Sequence, residues 1–197
     1  MALLSKFSDY VEAGCDEVGR GCLCGPVVAS AVILDPCFES ELINDSKKLT
    51  PKLRNELDIF IREKAIDFAI TELPPSFIDE HNILNASIQA MHLSLDKLQT
   101  RPEFILVDGN RFKPYPFTPH QCVVKGDSKY FSIACASILA KNYRDNLMMK
   151  LHEEYPQYGW NKNMGYPTKI HIEALKKYGP TPYHRRSFRL NMIKYFL

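Results

Sequence analysis

The feature that most constrains this chain is a series of short apolar runs, several ending in a carboxylate beside a turn, interleaved with stretches of helical periodicity. Residues 11–17 and 27–34 are apolar and flank a glycine-rich segment, residues 19–26, so they read as two strands joined by a loop. Thr50-Pro51 supplies an N-cap and a first-turn proline, and Leu53, Leu57, Phe60 and Ile61 then recur at helical spacing. Ile66, Phe68 and Ile70 alternate as a third strand that stops at Pro74-Pro75. Ser76, with Asp79 in the capping-box position, predicts one long second helix carrying Leu84, Ile88, Met91, Leu95 and Leu98 as its stripe. Residues 104–107 form a fourth strand ending in Asp108-Gly109-Asn110, and residues 122–124 a fifth ending in Lys125-Gly126-Asp127. Residues 131–151 read as a helix whose alanines and serines let it lie close to a sheet. This order predicts an α/β domain spanning 1–197, a mixed five-stranded sheet flanked by helices, with strands one and four as the natural parallel pair. Residues 152–197 are expected to form a helical C-terminal extension.

Composition removes several classes. At 197 residues, a domain buries roughly 70% of its unfolded surface and needs no disulfides. Hydrophobic residues at 45% and charged residues at 24% exclude disordered, collagen-like and disulfide-scaffold chains. The longest apolar stretch, residues 27–34, falls far short of the ~20 residues that span a bilayer, so no membrane association is expected. The first ten residues contain Lys6 and Asp9 and do not resemble a secretory signal. The six cysteines lack metal-knuckle spacing and mostly sit in apolar runs, which points to reduced, buried thiols and a cytoplasmic protein. The net charge of +2 is unevenly spread: residues 161–197 hold eight lysines and arginines against the single acid Glu173, a net +7. A polyanion partner and a merely solvated basic surface account equally well for that asymmetry.

Asp16 and Glu17 follow strand one, Asp108 follows strand four and Asp127 follows strand five. Ligands of open α/β sheets gather beyond the carboxyl ends of the strands. Neighbouring strands lie ~4.8 Å apart, so Asp16 and Asp108 can share a cation if strands one and four are adjacent. Converging carboxylates repel unless a cation or a proton intervenes. No His adjoins these acids and the cysteines lack metal-ligand spacing, so oxygen-ligated Mg²⁺ or Mn²⁺ is favoured over Zn²⁺. Each acid also has a plainer use. Asp108-Gly109-Asn110 is good turn chemistry, Asp127-Ser128 can cap a helix, Glu17 can pair with Arg20, and Asp145 reads as an ion-pair partner. Adjacent residues on a strand point to opposite faces, which makes Asp16 and Asp108 firmer ligands than Glu17.

Gly14-Cys15-Asp16-Glu17-Val18-Gly19-Arg20-Gly21 resembles the D-E-A-G-R-G signature of type 2 ribonuclease H, ribonuclease HII. Asp45-Ser46-Lys47-Lys48-Leu49, Val107-Asp108-Gly109-Asn110, Lys125-Gly126-Asp127, Ser137-Ile138-Leu139-Ala140-Lys141, Arg144-Asp145, Gly165-Tyr166 and His184-Arg185-Arg186-Ser187-Phe188 follow in the family's order. The resemblance implies a ribonuclease H-like fold and an endonuclease acting on RNA·DNA hybrids and on single ribonucleotides embedded in duplex DNA. By position, Asp16, Glu17, Asp108 and Asp127 match the four acidic active-site residues. Gly19, Arg20 and Gly21 match the loop that inspects the 2′-hydroxyl, and Tyr166 matches the tyrosine that senses the RNA–DNA junction. Val18, Cys22, Cys135, Pro167 and Leu190 depart from the family's usual residues, and none is a carboxylate.

Two divalent ions ~3.5–4 Å apart suit phosphodiester hydrolysis, one activating water and the other relieving charge on the departing 3′-oxygen, with 3′-hydroxyl and 5′-phosphate products. Asp16 is expected to bridge the ions, and Asp108 and Asp127 to hold one each. Glycines beside Arg20 let backbone approach a sugar closely. Ser46, Lys47, Lys48, Arg185, Arg186 and Ser187 suit phosphate oxygens, which position a duplex without reading its sequence. The protein is expected to be a monomer. Rival readings are a type 3 ribonuclease H, a Mg²⁺-dependent phosphohydrolase of small molecules, and a binder that keeps the fold without catalysis.

Overall fold

The computed structural model describes residues 3–43 and 49–188. Five strands, β1 (Glu12–Val18), β2 (Val27–Ile33), β3 (Asp67–Leu73), β4 (Phe104–Asp108) and β5 (His120–Val123), form one sheet in the order β3-β2-β1-β4-β5. β2 pairs antiparallel with both β1 and β3, whereas β1–β4 and β4–β5 are parallel. The expected mixed sheet and its parallel central pair are therefore both present.

Helices cover the two faces. Ala13, Cys15, Ala29, Ala31, Ile105 and Val107 turn toward α3 (Ile83–Asp96), where they meet Ala86, Met91 and Leu95. The opposite face packs against α4 (Phe131–Glu154) and α1 (Pro51–Lys64), through residues including Val32, Leu57, Ile61, Ala134 and Ile138. α4 lies almost on the strands. A Cβ on Gly14 would collide with the backbone of Ser132, so the glycine is a condition of that close approach. Thr50 caps α1 as expected, its hydroxyl accepting from the Leu53 N–H at 3.3 Å.

The expected long second helix is two. α2 (Pro75–His81) starts behind Pro74, not at a Ser76 cap, and α3 begins after Asn82, whose left-handed backbone (φ 64°) breaks the run. Asn82 also caps α3, its Oδ1 accepting from Asn85 N–H at 3.1 Å. Asp79, freed from capping, accepts from the N–H groups of Arg186 and Ser187 and from the Ser187 hydroxyl. Asp127 does not cap α4 either: Tyr130 holds that position without a side-chain bond.

Beyond α4 the chain continues through a 3₁₀ turn (Pro156–Tyr158), α5 (Trp160–Asn163) and α6 (Lys169–Tyr178). The 152–197 boundary thus falls inside α4, which runs to Glu154. This region has its own core of Tyr158, Trp160 and Ala174 packed on Met148, Leu151 and Cys24. Among the described residues, no helix is long and apolar enough to cross a membrane.

Candidate active site

Cys15 on β1 lies opposite Val107 on β4, so Asp16 and Asp108 are the next residues of two adjacent parallel strands. Side-chain alternation places both on the α4 face, because Cys15 and Val107 face α3. Asp16 is only 6% exposed, accepts from the Glu17 N–H at 2.7 Å and is hydrogen-bonded by the Ser137 side chain of α4. Burial first, then the charges of Glu17 and Asp108, push its carboxyl well above the usual range, and those two hydrogen bonds do not offset them. Burial likewise raises Glu17, against the pull of Arg20, whose Nη1 lies 3.0 Å from Glu17 Oε1; Asp108 adds to the rise. β1 continues through Val18, so Glu17 stays in the strand on the face opposite Asp16, although its carboxylate still shares the field of Asp108.

The fourth acid is brought in by a turn. After β5, Lys125 adopts a left-handed backbone (φ 56°) and residues Gly126–Ser128 form a 3₁₀ turn containing Asp127, itself 5% exposed. The Gly126 N–H donates to Asp108 Oδ1 at 2.7 Å, joining this turn to the end of β4. An added Cβ at Gly126 would lie 2.5 Å from Ile133 Cδ1, so a side chain there would require the tip of Ile133 to move. Among the described residues no three acids, imidazoles or thiols form a ready cation cage. The donor set nevertheless fits Mg²⁺ or Mn²⁺. Asp16 and Glu17, both raised in part by the charge of Asp108, together with Asp108 and the buried Asp127 offer only hard oxygen, and Mg²⁺ commonly takes one or two carboxylates and completes its shell with water and substrate phosphate.

Beside the acids, the segment 19–26 is bound from within by two buried guanidiniums. Arg144 donates to the carbonyls of Pro26 (3.0 Å), Met164 (2.8 Å) and Cys24 (3.0 Å). Arg185 donates to those of Gly25 (3.0 and 2.9 Å), Arg20 (3.0 Å) and Pro26 (3.2 Å). Arg185 is therefore not the phosphate-facing group expected from the sequence: at 3% exposure it is a strut of the loop. Arg186 keeps an exposed side chain, while the Ser187 hydroxyl is committed to Asp79. Ser46, Lys47 and Lys48 lie outside the described residues. Gly19 is left-handed (φ 91°) and packs on Arg144, Gly21 is exposed, and a Cβ built on Gly21 would stand 3.8 Å from Tyr166 Cε1. The tyrosine and the Gly-Arg-Gly loop thus border one surface. Tyr166 is 41% exposed, and burial, then Cys22, which hydrogen-bonds its side chain, raise its phenol.

Sequence reasoning placed Ser137 and Arg144 in matching motifs but gave neither a role, and it missed the partners of Tyr166. A signal existed for Arg144: it falls on the buried stripe of α4 defined by Ala140, Met148 and Leu151, where a cation needs a buried partner. Cys15, Cys22, Cys24 and Cys135 are buried as expected, whereas Cys37 is exposed and Cys122 half-buried; all six thiols are free.

The profile of the ribonuclease HII family matches residues 13–191. The ribonuclease HII of Bacteroides thetaiotaomicron is 58% identical over 182 residues, covering 92% of this chain and 91% of that protein. That of Christiangramia forsetii is 58% identical over 178 residues, covering 90% of each. The ribonuclease H2 of Pyrococcus horikoshii OT3 superposes with a TM-score of 0.78 at 29% identity, covering 92% of this chain and 95% of that one. An Archaeoglobus fulgidus ribonuclease HII, solved in complex with PCNA, gives 0.76 at 26% identity, with 92% and 96% covered. A Bst ribonuclease HIII solved with Mn²⁺ shares the fold at a TM-score of 0.70 and 19% identity, covering 94% of this chain and 68% of that one. With strand-end acids set in a ribonuclease H-like sheet and relatives this similar along nearly its whole length, the chain belongs to the ribonuclease HII family, and is a ribonuclease H endonuclease.

Proposed function

We propose that this protein is a divalent-metal-dependent endoribonuclease that cuts the RNA strand of RNA·DNA hybrids and cuts 5′ of single ribonucleotides embedded in duplex DNA, leaving 3′-hydroxyl and 5′-phosphate ends. The observation that carries this reading is the mutual electrostatic burden of Asp16, Glu17 and Asp108 at the ends of adjacent parallel strands. A site kept this acidic and this buried calls for cations. Mg²⁺ or Mn²⁺, bound as a pair, would activate water and relieve charge on the leaving 3′-oxygen. Asp16, Asp108 and Asp127 are the residues to hold them, and Glu17 adds its charge from the other face.

The chain's own groups then do the selecting. Exposed Gly21 lets the loop's backbone meet a ribose 2′-hydroxyl, which both donates and accepts, while buried Gly19 seats the loop on Arg144. Tyr166 offers a half-exposed ring beside that loop. Arg186, with Ser46, Lys47 and Lys48, serves phosphate oxygens, and the exposed lysines of residues 152–197 extend a basic path for the duplex. The six free thiols support a reducing, cytoplasmic setting, and we read the working unit as a monomer.

A direct test offers duplex DNA containing one ribonucleotide, an RNA·DNA hybrid and an all-DNA duplex with Mg²⁺ or Mn²⁺. The expected result is a single cut 5′ of the ribonucleotide, multiple cuts in the hybrid, none in DNA, and full loss on chelation. Cleavage of all-DNA, or cleavage unaffected by chelator, overturns the reading.

A further inference from the structure

Behind Tyr166 runs a buried chain of imidazoles that the acid site does not use. His171, fully buried, places Nδ1 at 2.9 Å from the Tyr166 carbonyl oxygen. Its Nε2 lies 3.0 Å from Trp160 Nε1 and 3.1 Å from His184 Nε2. His184 Nδ1 in turn receives the Thr181 N–H at 2.9 Å, with the Thr181 hydroxyl also at 2.9 Å.

These partners assign the protons. A carbonyl only accepts, so His171 carries its hydrogen on Nδ1 and presents a bare Nε2. A backbone N–H only donates, so His184 Nδ1 is bare and its hydrogen sits on Nε2, aimed at His171. Both rings are neutral, and an added proton on either would set N–H against N–H. Burial favours the same state, lowering His171 and taking His184 down to about 4.

The chain joins two substrate-facing segments. One end is the Tyr166 backbone. The other is the turn at residues 181–185, which continues directly into Arg185, the strut beneath the carbonyls of Arg20, Gly25 and Pro26. Backbone bonds lace the same three segments together: Leu23 N–H to Gly165 O at 2.8 Å, Gly25 N–H to Tyr183 O at 2.9 Å, and Arg185 N–H to Leu23 O at 2.9 Å. Tyr166 and the Gly-Arg-Gly loop can read one sugar only if their spacing is fixed.

We propose that His171 and His184 are positioning residues that hold Tyr166 in register with the Gly19-Arg20-Gly21 loop, and so set recognition of a single ribonucleotide without touching substrate. This rests on the proposed function above. Chemistry at Asp16 and Asp108 is untouched, so the pair acts on substrate placement, not on turnover.

The test compares three proteins: wild type, His171→Phe, which loses every link, and His171→Asn, whose amide can still donate to the Tyr166 carbonyl. Each is assayed on the single-ribonucleotide duplex and on the continuous hybrid, with folding checked by circular dichroism. His171→Phe should raise KM on the single ribonucleotide by about tenfold or more, a modest share of what a 1 Å misplacement can cost. Its kcat should hold, the continuous hybrid should be affected less, and His171→Asn should recover most of the loss. Equal effects on both substrates, equal effects of Phe and Asn, or a fall in kcat at constant KM would overturn the proposal. Should His171→Phe not fold, ¹⁵N NMR of the wild-type imidazoles decides. The expected tautomers are Nδ1–H on His171 and Nε2–H on His184 at neutral pH; either opposite tautomer, or a charged ring, overturns it. Wild type that cuts neither substrate contradicts the proposed function instead and leaves the NMR result standing.

Discussion

Gly19 and Gly109 share a left-handed backbone, with φ of 91° and 96°, but not their surroundings. Gly109 faces open space, whereas a Cβ on Gly19 would run into the Arg144 guanidinium. Gly109→Ala should therefore cost only the backbone strain, about 1–2 kcal/mol. Gly19→Ala should add an overpacking cost of ~1–3 kcal/mol and lower activity, since Arg144 also holds the carbonyls of Cys24 and Pro26. Chemical denaturation of the two variants checks this, and equal losses would refute the role assigned to Arg144. At this scale the acids were legible, because each stands where an apolar run meets a turn. Arg144, Arg185, His171 and His184 were not, because their partners are backbone carbonyls and one another, and such partners leave no complementary residue in the sequence. Ser187 shows the opposite error: its residue type suits a phosphate, yet Asp79 takes its hydroxyl.

Elements were read best where packing and local signals agree. The period-two run at residues 66–70 and the Thr50-Pro51 cap each found their strand or helix. The second helix failed because Ser76 and Asp79 match a capping box by spacing alone, while the true break, Asn82, is a residue that tolerates φ above zero less conspicuously than glycine. That break matters for position: it ends α2, the helix whose Asp79 anchors residues 186–187. Asn82→Ala should cost roughly 1–2 kcal/mol, from the lost cap and the strained backbone, and Asn82→Gly only a few tenths, because glycine accepts the conformation. Thermal or urea unfolding measures both. An Asn82→Ala protein as stable as wild type would mean that the helices fuse without penalty. β5 was placed two residues late, since His120 and Gln121 are polar and the apolar run begins only at Cys122.

For the whole molecule, topology turns scattered residues into a site. The parallel β1–β4 pair sets Asp16 beside Asp108, the Gly126–Ser128 turn adds Asp127, and residues 164–166 and 181–185 close on the Gly-Arg-Gly loop. The strand pairing followed from the order of elements. The convergence of the C-terminal segments did not, because it depends on burial of Trp160, His171 and Arg185 in contacts far apart along the chain. The basic C-terminal charge was only partly a surface property. Lys162, Lys169, Lys176, Lys177 and Arg186 are exposed, Arg185 is interior, and Arg189 and Lys194 lie outside the described residues. Cleavage requires that the oxygens of Asp16 and Asp108 serve cations, and Asp108→Asn isolates this requirement. Its amide oxygen can still accept from the Gly126 N–H, so the fold should hold, while the charge is gone. Turnover of the single-ribonucleotide duplex at saturating Mg²⁺ or Mn²⁺ should fall by at least ~100-fold, the scale of several kcal/mol of lost metal-assisted stabilisation. A folded Asp108→Asn protein that turns over at close to the wild-type rate would contradict the account.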